Sequence, residues 1–325
     1  MKNTAAFLLV GALLMACDSE GNPFTTSAAA PATPTTPGPA PATGVPADIA
    51  GDVDNVTFNA TTGVLTVTGV NLDNVPVTTT YTRTPGLDQD GFIAFTTQDD
   101  PLDRHFTALV AEGTSVRAAA VSSPSPRNRT LRGAFFERDG AYTPPTVTTT
   151  TGLVSYAGAY AGVTNISDPN PQNLLSTTVT PSELQPTQAL LVDGDVFMNA
   201  DFGDGSVEGN IINRRLLGSD GTVYQADLPS LVLILSTVDS NGSFSGTVEY
   251  DISDPASNTN EFEQVGTYAG IFGGTNASEI AGGVDLTEFD GSSDPLGFEN
   301  EQESGAFVLQ ACAPGSTNPI CAQIP

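Results

Sequence analysis

The feature that most constrains this chain is a repeated two-residue alternation of apolar and polar side chains in short runs separated by turn clusters. No window shows a 3.6-residue apolar period. In one run Phe244, Gly246, Val248 and Tyr250 share a face opposite Ser245, Thr247 and Glu249. In another Ile280, Gly282, Val284 and Leu286 oppose Ala281, Gly283, Asp285 and Thr287. A third sets Val196, Met198, Ala200 and Phe202 against Phe197, Asn199 and Asp201. Strands buried on one face have this period. The 33 Gly and 24 Pro, with many Thr and Val, favour strands and turns over helices.

The runs fall into two groups. In residues 48–150, Thr57–Asn59 leads through Thr61-Thr62-Gly63 into Val64–Val70, a hairpin pattern. Val77–Arg83, Gly91–Thr97, His105–Ala111, Ser115–Val121 and Leu131–Arg138 follow, predicting a small antiparallel β domain. The stretch 144–151, PPTVTTTT, reads as a boundary. Residues 151–325 hold eight further runs: Leu153–Ile166, Asp195–Phe202, Ser206–Arg214, Leu231–Val238, Ser243–Ile252, Val265–Phe272, Glu279–Leu286 and Gly305–Ala311. Gly203-Asp204-Gly205, Asp239-Ser240-Asn241-Gly242 and Gly273–Asn276 are tight joins between antiparallel neighbours. The stretch 167–194, with Pro169, Pro171, Pro181 and Pro186, is expected to be a longer loop. Eight strands close into a barrel just filled by side chains, and glycine on the apolar face suits strongly coiled strands. The alternate face carries Asp, Glu, Asn and Thr where a lipid-spanning barrel needs an apolar band. The expected class is all-β: a soluble eight-stranded antiparallel barrel preceded by a small antiparallel β domain.

The N-terminus carries an address. Lys2 precedes Ala5–Ala16, an uncharged and mostly apolar run that, at about 1.5 Å per residue, falls short of a hydrocarbon core about 30 Å thick. Residues 1–17 fit a secretory signal. Leu14-Met15-Ala16-Cys17 resembles the bacterial lipoprotein signal, in which the Cys becomes the acylated first mature residue. Two or three acyl chains anchor stably at roughly 0.8 kcal/mol per buried CH₂. Asp18 follows; in enterobacterial lipoproteins an Asp there directs inner-membrane retention, so retention facing the periplasm stands beside outer-membrane anchoring. Residues 18–47 are a tether: Gly21–Ala47 has no charge, and six prolines lie among small residues in 25–47. In polyproline-II form such a spacer reaches on the order of 70 Å.

Charge narrows the function classes. There are 37 Asp+Glu against 10 Lys+Arg, a formal net charge of −27, which opposes nucleic acid and anionic membrane surfaces. Lys2 is the one lysine and lies in the segment to be removed, so Schiff-base and P-loop chemistry are excluded from the mature chain. One His excludes multi-histidine metal sites.

The phrase 271–284, with Phe272, Gly273, Ala277, Glu279, Ile280 and Gly282 in order, resembles the barrel signature of transferrin-binding-protein-B-like bacterial surface lipoproteins. Its turn is one residue longer than in that pattern. Asn199-Ala200-Asp201-Phe202 with Ser206–Ile211, and Gly305-Ala306-Phe307 after the acidic Glu299–Glu303, resemble the same family. The resemblance covers about 152–312. It implies an eight-stranded barrel beside a smaller β "handle", lipid-anchored at the outer-membrane surface, in a family whose members capture host proteins, often for iron. Transferrin-binding proteins have two such lobes, and this chain has room for one. No partner-contacting motif carries over.

Few residues suggest chemistry. His105, in Asp103-Arg104-His105-Phe106, is the sole candidate base and reads as a surface or capping histidine. Cys312 and Cys321 are expected to pair in an exported chain. Asp193-Gly194-Asp195, Asp201–Asp204 and 87–91 read as turns, none completing a calcium loop. Six of the nine arginines fall between Arg104 and Arg138, and Arg127, Arg129 and Arg132 form a local positive cluster. That cluster meets an acidic partner or sits in ion pairs with neighbouring carboxylates. The expectation is a non-catalytic surface lipoprotein without cofactor or metal, binding a macromolecular partner through handle and barrel-rim loops. The alternatives are a structural envelope lipoprotein with no captured ligand, and a small-molecule carrier using the barrel interior.

Overall fold

The computed structural model describes residues 44–59, 61–70, 76–124, 129–148, 151–178, 184–251, 264–287, 289, 296, 300–313 and 316–323. Lys2, Cys17, Asp18, Arg127 and the tether before Gly44 lie outside the described residues.

Seven strands form the handle, each pairing antiparallel with the next in chain order. They are β1 (Val53–Asn59), β2 (Val64–Val70), β3 (Pro76–Arg83), β4 (Ile93–Thr97), β5 (Phe106–Glu112), β6 (Val116–Ser123) and β7 (Leu131–Arg138). The expected first hairpin is present: Asn59 pairs with Val64, and the Asn59 carboxamide oxygen accepts from the amides of Thr61 and Thr62, each at 3.0 Å.

Alternation along these strands serves two cores. Val56, Leu65, Val67, Tyr81, Phe95, Ala108, Val110, Val121 and Phe135 pack inside the handle. Leu109, Ala111, Ala118, Ala120, Ala134 and Phe136, on the other face, pack against the outer wall of the second sheet. There they meet Ala161, Val163, Leu191, Ala269, Ile271, Ala281 and Ala306. Alanine on both sides lets the two backbones approach closely. The seam is therefore a third core, and residues 41–325 form one compact unit.

The second sheet closes on itself. Its strands are β8 (Leu153–Ser167), β9 (Ala189–Asp201), β10 (Ser206–Leu217), β12 (Leu231–Thr237), β13 (Ser243–Tyr250), β14 (Gln264–Gly273), β15 (Glu279–Thr287) and β16 (Gln302–Ala311); the short β11 (Val223–Gln225) adds to β10. β16 pairs with β8, β8 with β9 and β9 with β10, completing an eight-stranded antiparallel barrel. Its interior is filled by Tyr156, Tyr160, Met198, Ile211, Leu233, Phe244, Val248, Tyr268, Phe272 and Phe307, all buried. Gly282 and Gly305 make room for this filling: a Cβ on either collides with the ring of Phe307 or Tyr160 respectively. Away from the handle, outward positions carry Asp193, Asp195, Asn199, Glu208 and Glu249. An apolar interior with a polar free face is the reverse of a lipid-spanning barrel.

The barrel has two unlike ends. At one, 202–205, 238–242 and 274–278 are tight turns. At the other, β8, β10, β13 and β15 end and β9, β12, β14 and β16 begin, and the described loop residues 168–178, 184–188 and 218–230 lie there. The handle strands run alongside with their ends in step. Its turn 113–115 reaches the tight-turn end, and its connection 98–105 and the end of β6 sit with the long loops.

Candidate functional site

Polar clasps at both ends fix the handle to the barrel. At the tight-turn end, Glu279 at the start of β15 accepts from the backbone amides of Thr114 (2.7 Å) and Ser115 (2.6 Å) in the handle turn. Gln310 donates to the same carboxylate at 2.7 Å. Glu279 is buried, so these donors satisfy a charge held out of water. Along β7, Arg132 and Arg138 share the barrel-facing side with Ala134 and Phe136. Arg138 donates to the carbonyls of Asn241 (2.5 Å) and Phe272 (3.0 Å) at the tight-turn end. Arg132, at the other end of β7, pairs with Asp285 and donates to Ser304 at 3.1 Å. Burial pulls the Arg132 guanidinium down to about 10, against the nearby Asp52 and Glu303 charges.

The long-loop end is organised by two buried charged centres. Asp168 opens the 168–188 loop and is buried. Its carboxylate accepts from the Ser219 amide (2.6 Å), the Ser219 hydroxyl (2.7 Å) and the Asn170 amide (2.8 Å), tying this loop to the one after β10. Arg214 and Glu303 are both fully buried and pair at 2.7 Å. The second Arg214 nitrogen donates to the carbonyls of Pro229 (2.8 Å) and Phe289 (3.2 Å). Tyr160 donates its hydroxyl to Glu303. Burial first, and the Glu303 charge second, raise the Tyr160 phenol well above its usual range. Arg214 points inward because β10 bulges at Asn213, whose φ of +56° shifts the register between Ile212 and Arg215. Arg215 is thereby turned outward onto Asp193.

Leu102 (47% exposed), Leu175 (41%), Leu184 and Val223 are exposed at this end, while Leu153 (71%) and Leu235 (61%) are exposed toward the tight-turn end. Leu102 and Leu175 belong to the handle and the barrel respectively. Gln98 joins them, accepting from the Leu175 amide at 2.8 Å and donating to the Asp103 carbonyl at 3.1 Å.

The residues singled out in the sequence scatter. Arg129 is exposed and its carbonyl accepts from Arg104 at 2.7 Å. Arg132 is held in the seam, away from Arg129's exposed position, so these two do not present one positive surface. Cys312 and Cys321 form a disulfide, and the Cys312 amide donates to the Ser155 carbonyl at 2.8 Å, laying the tail on β8. The expected surface histidine is corrected: His105 is 1% exposed, and neither ring nitrogen has a hydrogen-bond partner. Burial lowers its pKa to about 4. The charged neighbours Asp103 and Arg104 gave no sign of that burial. Of the Asp/Gly clusters read as turns, Asp193-Gly194-Asp195 is corrected: it lies within β9, which begins at Ala189 inside the expected 167–194 loop, whereas Asp201 binds the amides of its own turn and Asp88 pairs with Arg83. Asp168 and Arg214 were missed. Their signals were an acid directly before Pro169 and a second consecutive arginine interrupting the alternation of β10.

The chain is similar in fold to transferrin-binding protein B. A structure of that protein from Haemophilus parasuis Hp5 aligns over 76% of this chain and 51% of its own length, with 11% identity and a TM-score of 0.37. One from serogroup B Neisseria meningitidis aligns over 79% and 51%, with 15% identity and a TM-score of 0.33. One from Actinobacillus pleuropneumoniae H49 aligns over 80% and 97%, with 13% identity and a TM-score of 0.34. The chain thus spans about half the length of the first two. No protein-family model matches the chain, and neither does any curated protein. At these identities the likeness concerns fold alone.

Proposed function

We propose that this protein is a non-catalytic lipoprotein, acylated at Cys17 and held at the outer-membrane surface, that captures a protein partner through the long-loop end of handle and barrel. One observation carries the reading: loops from both sheets meet at one end, where Gln98 of the handle joins the Leu175 amide of the barrel, above a barrel whose interior is already filled. Recognition surfaces are disproportionately built on loops held by a rigid scaffold. The Tyr and Phe rings inside the barrel disfavour a carrier that holds a small molecule there. Residues 271–284 resemble a family whose members capture host proteins, often for iron, which supports a protein partner without naming it, and the acyl anchor and tether suit a domain standing clear of its membrane.

The test is site-specific photocrosslinking on the producing bacterium. A photoreactive residue at Leu102 or Leu175 is expected to yield a protein adduct, and one at Val147, beside the tight-turn end, none. Adducts at Val147 alone, or at none of the three, reject the surface. Membrane attachment is tested separately: Cys17→Ala is expected to lose its acyl label and leave the membrane fraction.

A further inference from the structure

We propose that the buried Arg214–Glu303 pair is a positioning device for the rim: it sets the placement of the loops that approach β12 and leave β15, and the barrel does not need it to stay closed. The inference rests on the reading of the long-loop end as the recognition surface. The pair is fully buried, and one Arg214 nitrogen reaches the carbonyls of Pro229 and Phe289, in two different loops. The guanidinium also lies 5.9 Å from the centre of the Phe289 ring. Glu303 holds the other nitrogen and is itself held by Tyr160.

Barrel closure does not explain this arrangement. A buried ion pair loses the hydration of two charges, and well-packed apolar residues of similar volume are often as stable or more so. The rest of the interior is filled in that way. A second local departure accompanies the first, because Arg214 turns inward only through the bulge at Asn213, which breaks the β9–β10 register. Both departures lead to one outcome that an apolar side chain cannot reproduce: a planar, permanently charged donor fork bridging two loop carbonyls.

The test uses the full chain. A double variant, Arg214→Met with Glu303→Leu, removes both charges together. Its melting temperature is expected to stay within about 3 °C of the parent or rise. Hydrogen exchange at the Leu228 and Phe289 amides is expected to quicken at least about tenfold, the factor carried by one lost hydrogen bond to a charged group. Exchange in β13 to β15 should not change. Arg214→Lys keeps the charge but not the fork, and is expected to stay folded while quickening exchange at Leu228 or Phe289. A double variant that fails to fold, or melts as far below the parent as Arg214→Ala does, overturns the proposal by making the pair part of barrel stability. Unchanged exchange at Leu228 and Phe289 overturns it equally. Exchange needs no partner, so this failure is distinct from absent crosslinks at Leu102 and Leu175.

Discussion

The two ends of the barrel solve different problems with the same strands. At the tight-turn end, 202–205, 238–242 and 274–278 reverse the chain with left-handed residues such as Gly205, Gly242 and Gly274. Short-range chemistry suffices there: Asp201 and Asp239 bind amides of their own turns. At the long-loop end, the connections are too long to be specified by a turn type. Side chains from distant strands hold them, Asp168 across to Ser219 and Arg214 across to Phe289 and Glu303. Closing a barrel requires only the first kind of end. The second adds buried polar groups whose partners are loop backbone, as a surface of defined shape would need.

The largest expected effect tests whether the loop end depends on its charged centre. Arg214→Ala leaves Glu303 buried without its partner and should cost about 3–5 kcal/mol, read from denaturant unfolding. A loss under about 1 kcal/mol means that water reaches Glu303 and the centre is not closed.

Acid should weaken the seam next. His105 has a folded pKa near 4, below the ordinary value of 6.5, so the fold holds it neutral. Its contribution is fully present above pH 6.5 and is lost as pH falls from about 6.5 to about 4, on the order of 3 kcal/mol in total. Carboxylates titrate in the same window, so the informative quantity is the difference between the parent and His105→Leu at pH 7 and pH 4.5. Equal acid losses in both proteins would show that His105 is hydrated.

The tight-turn end has its own test in Glu279. Glu279→Ala orphans the Thr114 and Ser115 amides and should cost about 2 kcal/mol, and Glu279→Gln less, because an amide oxygen still accepts. The comparison sharpens if exchange quickens at residues 113–115 and leaves Leu228 unchanged. Exchange quickening at both ends would show that the ends are coupled through the seam.

The smallest effect concerns the whole surface. Removal of residues 1–17 leaves 37 acidic residues against nine arginines, and Arg83, Arg117, Arg132, Arg214 and Arg215 are already in ion pairs. Self-repulsion of the remaining carboxylates should ease with salt, whose Debye length is about 8 Å at 0.15 M. The melting temperature of the acyl-free protein is expected to rise by a few degrees between about 10 mM and 500 mM sodium chloride. A flat or falling curve, followed by destabilisation with EDTA, would mean that bound cations already compensate the charge.

The sequence by itself determined where the strands lie and which face most of them bury, apart from the start of β9 and the end of β10. Leu131–Arg138 and Val64–Val70 are strands over those bounds, and the eight runs after residue 151 are the eight walls of the barrel. A two-residue period is a local property, because each strand needs only one apolar face and a turn that Gly, Asp or Asn can make. The pairing of Cys312 with Cys321 was legible for the same reason, since few cysteines leave few choices. Only the tertiary structure decided what lies against the outer faces. The alanines of β6 and β15 do not announce a seam, and the sequence left Arg132 between a positive surface and an ion pair until Asp285, far along the chain, was placed beside it. His105 looked exposed beside Asp103 and Arg104, and it is buried. Arg214 turned inward through a one-residue bulge that breaks the alternation on which the strand reading rests. Burial and charge pairing are set by residues distant in sequence, and no local pattern carries them.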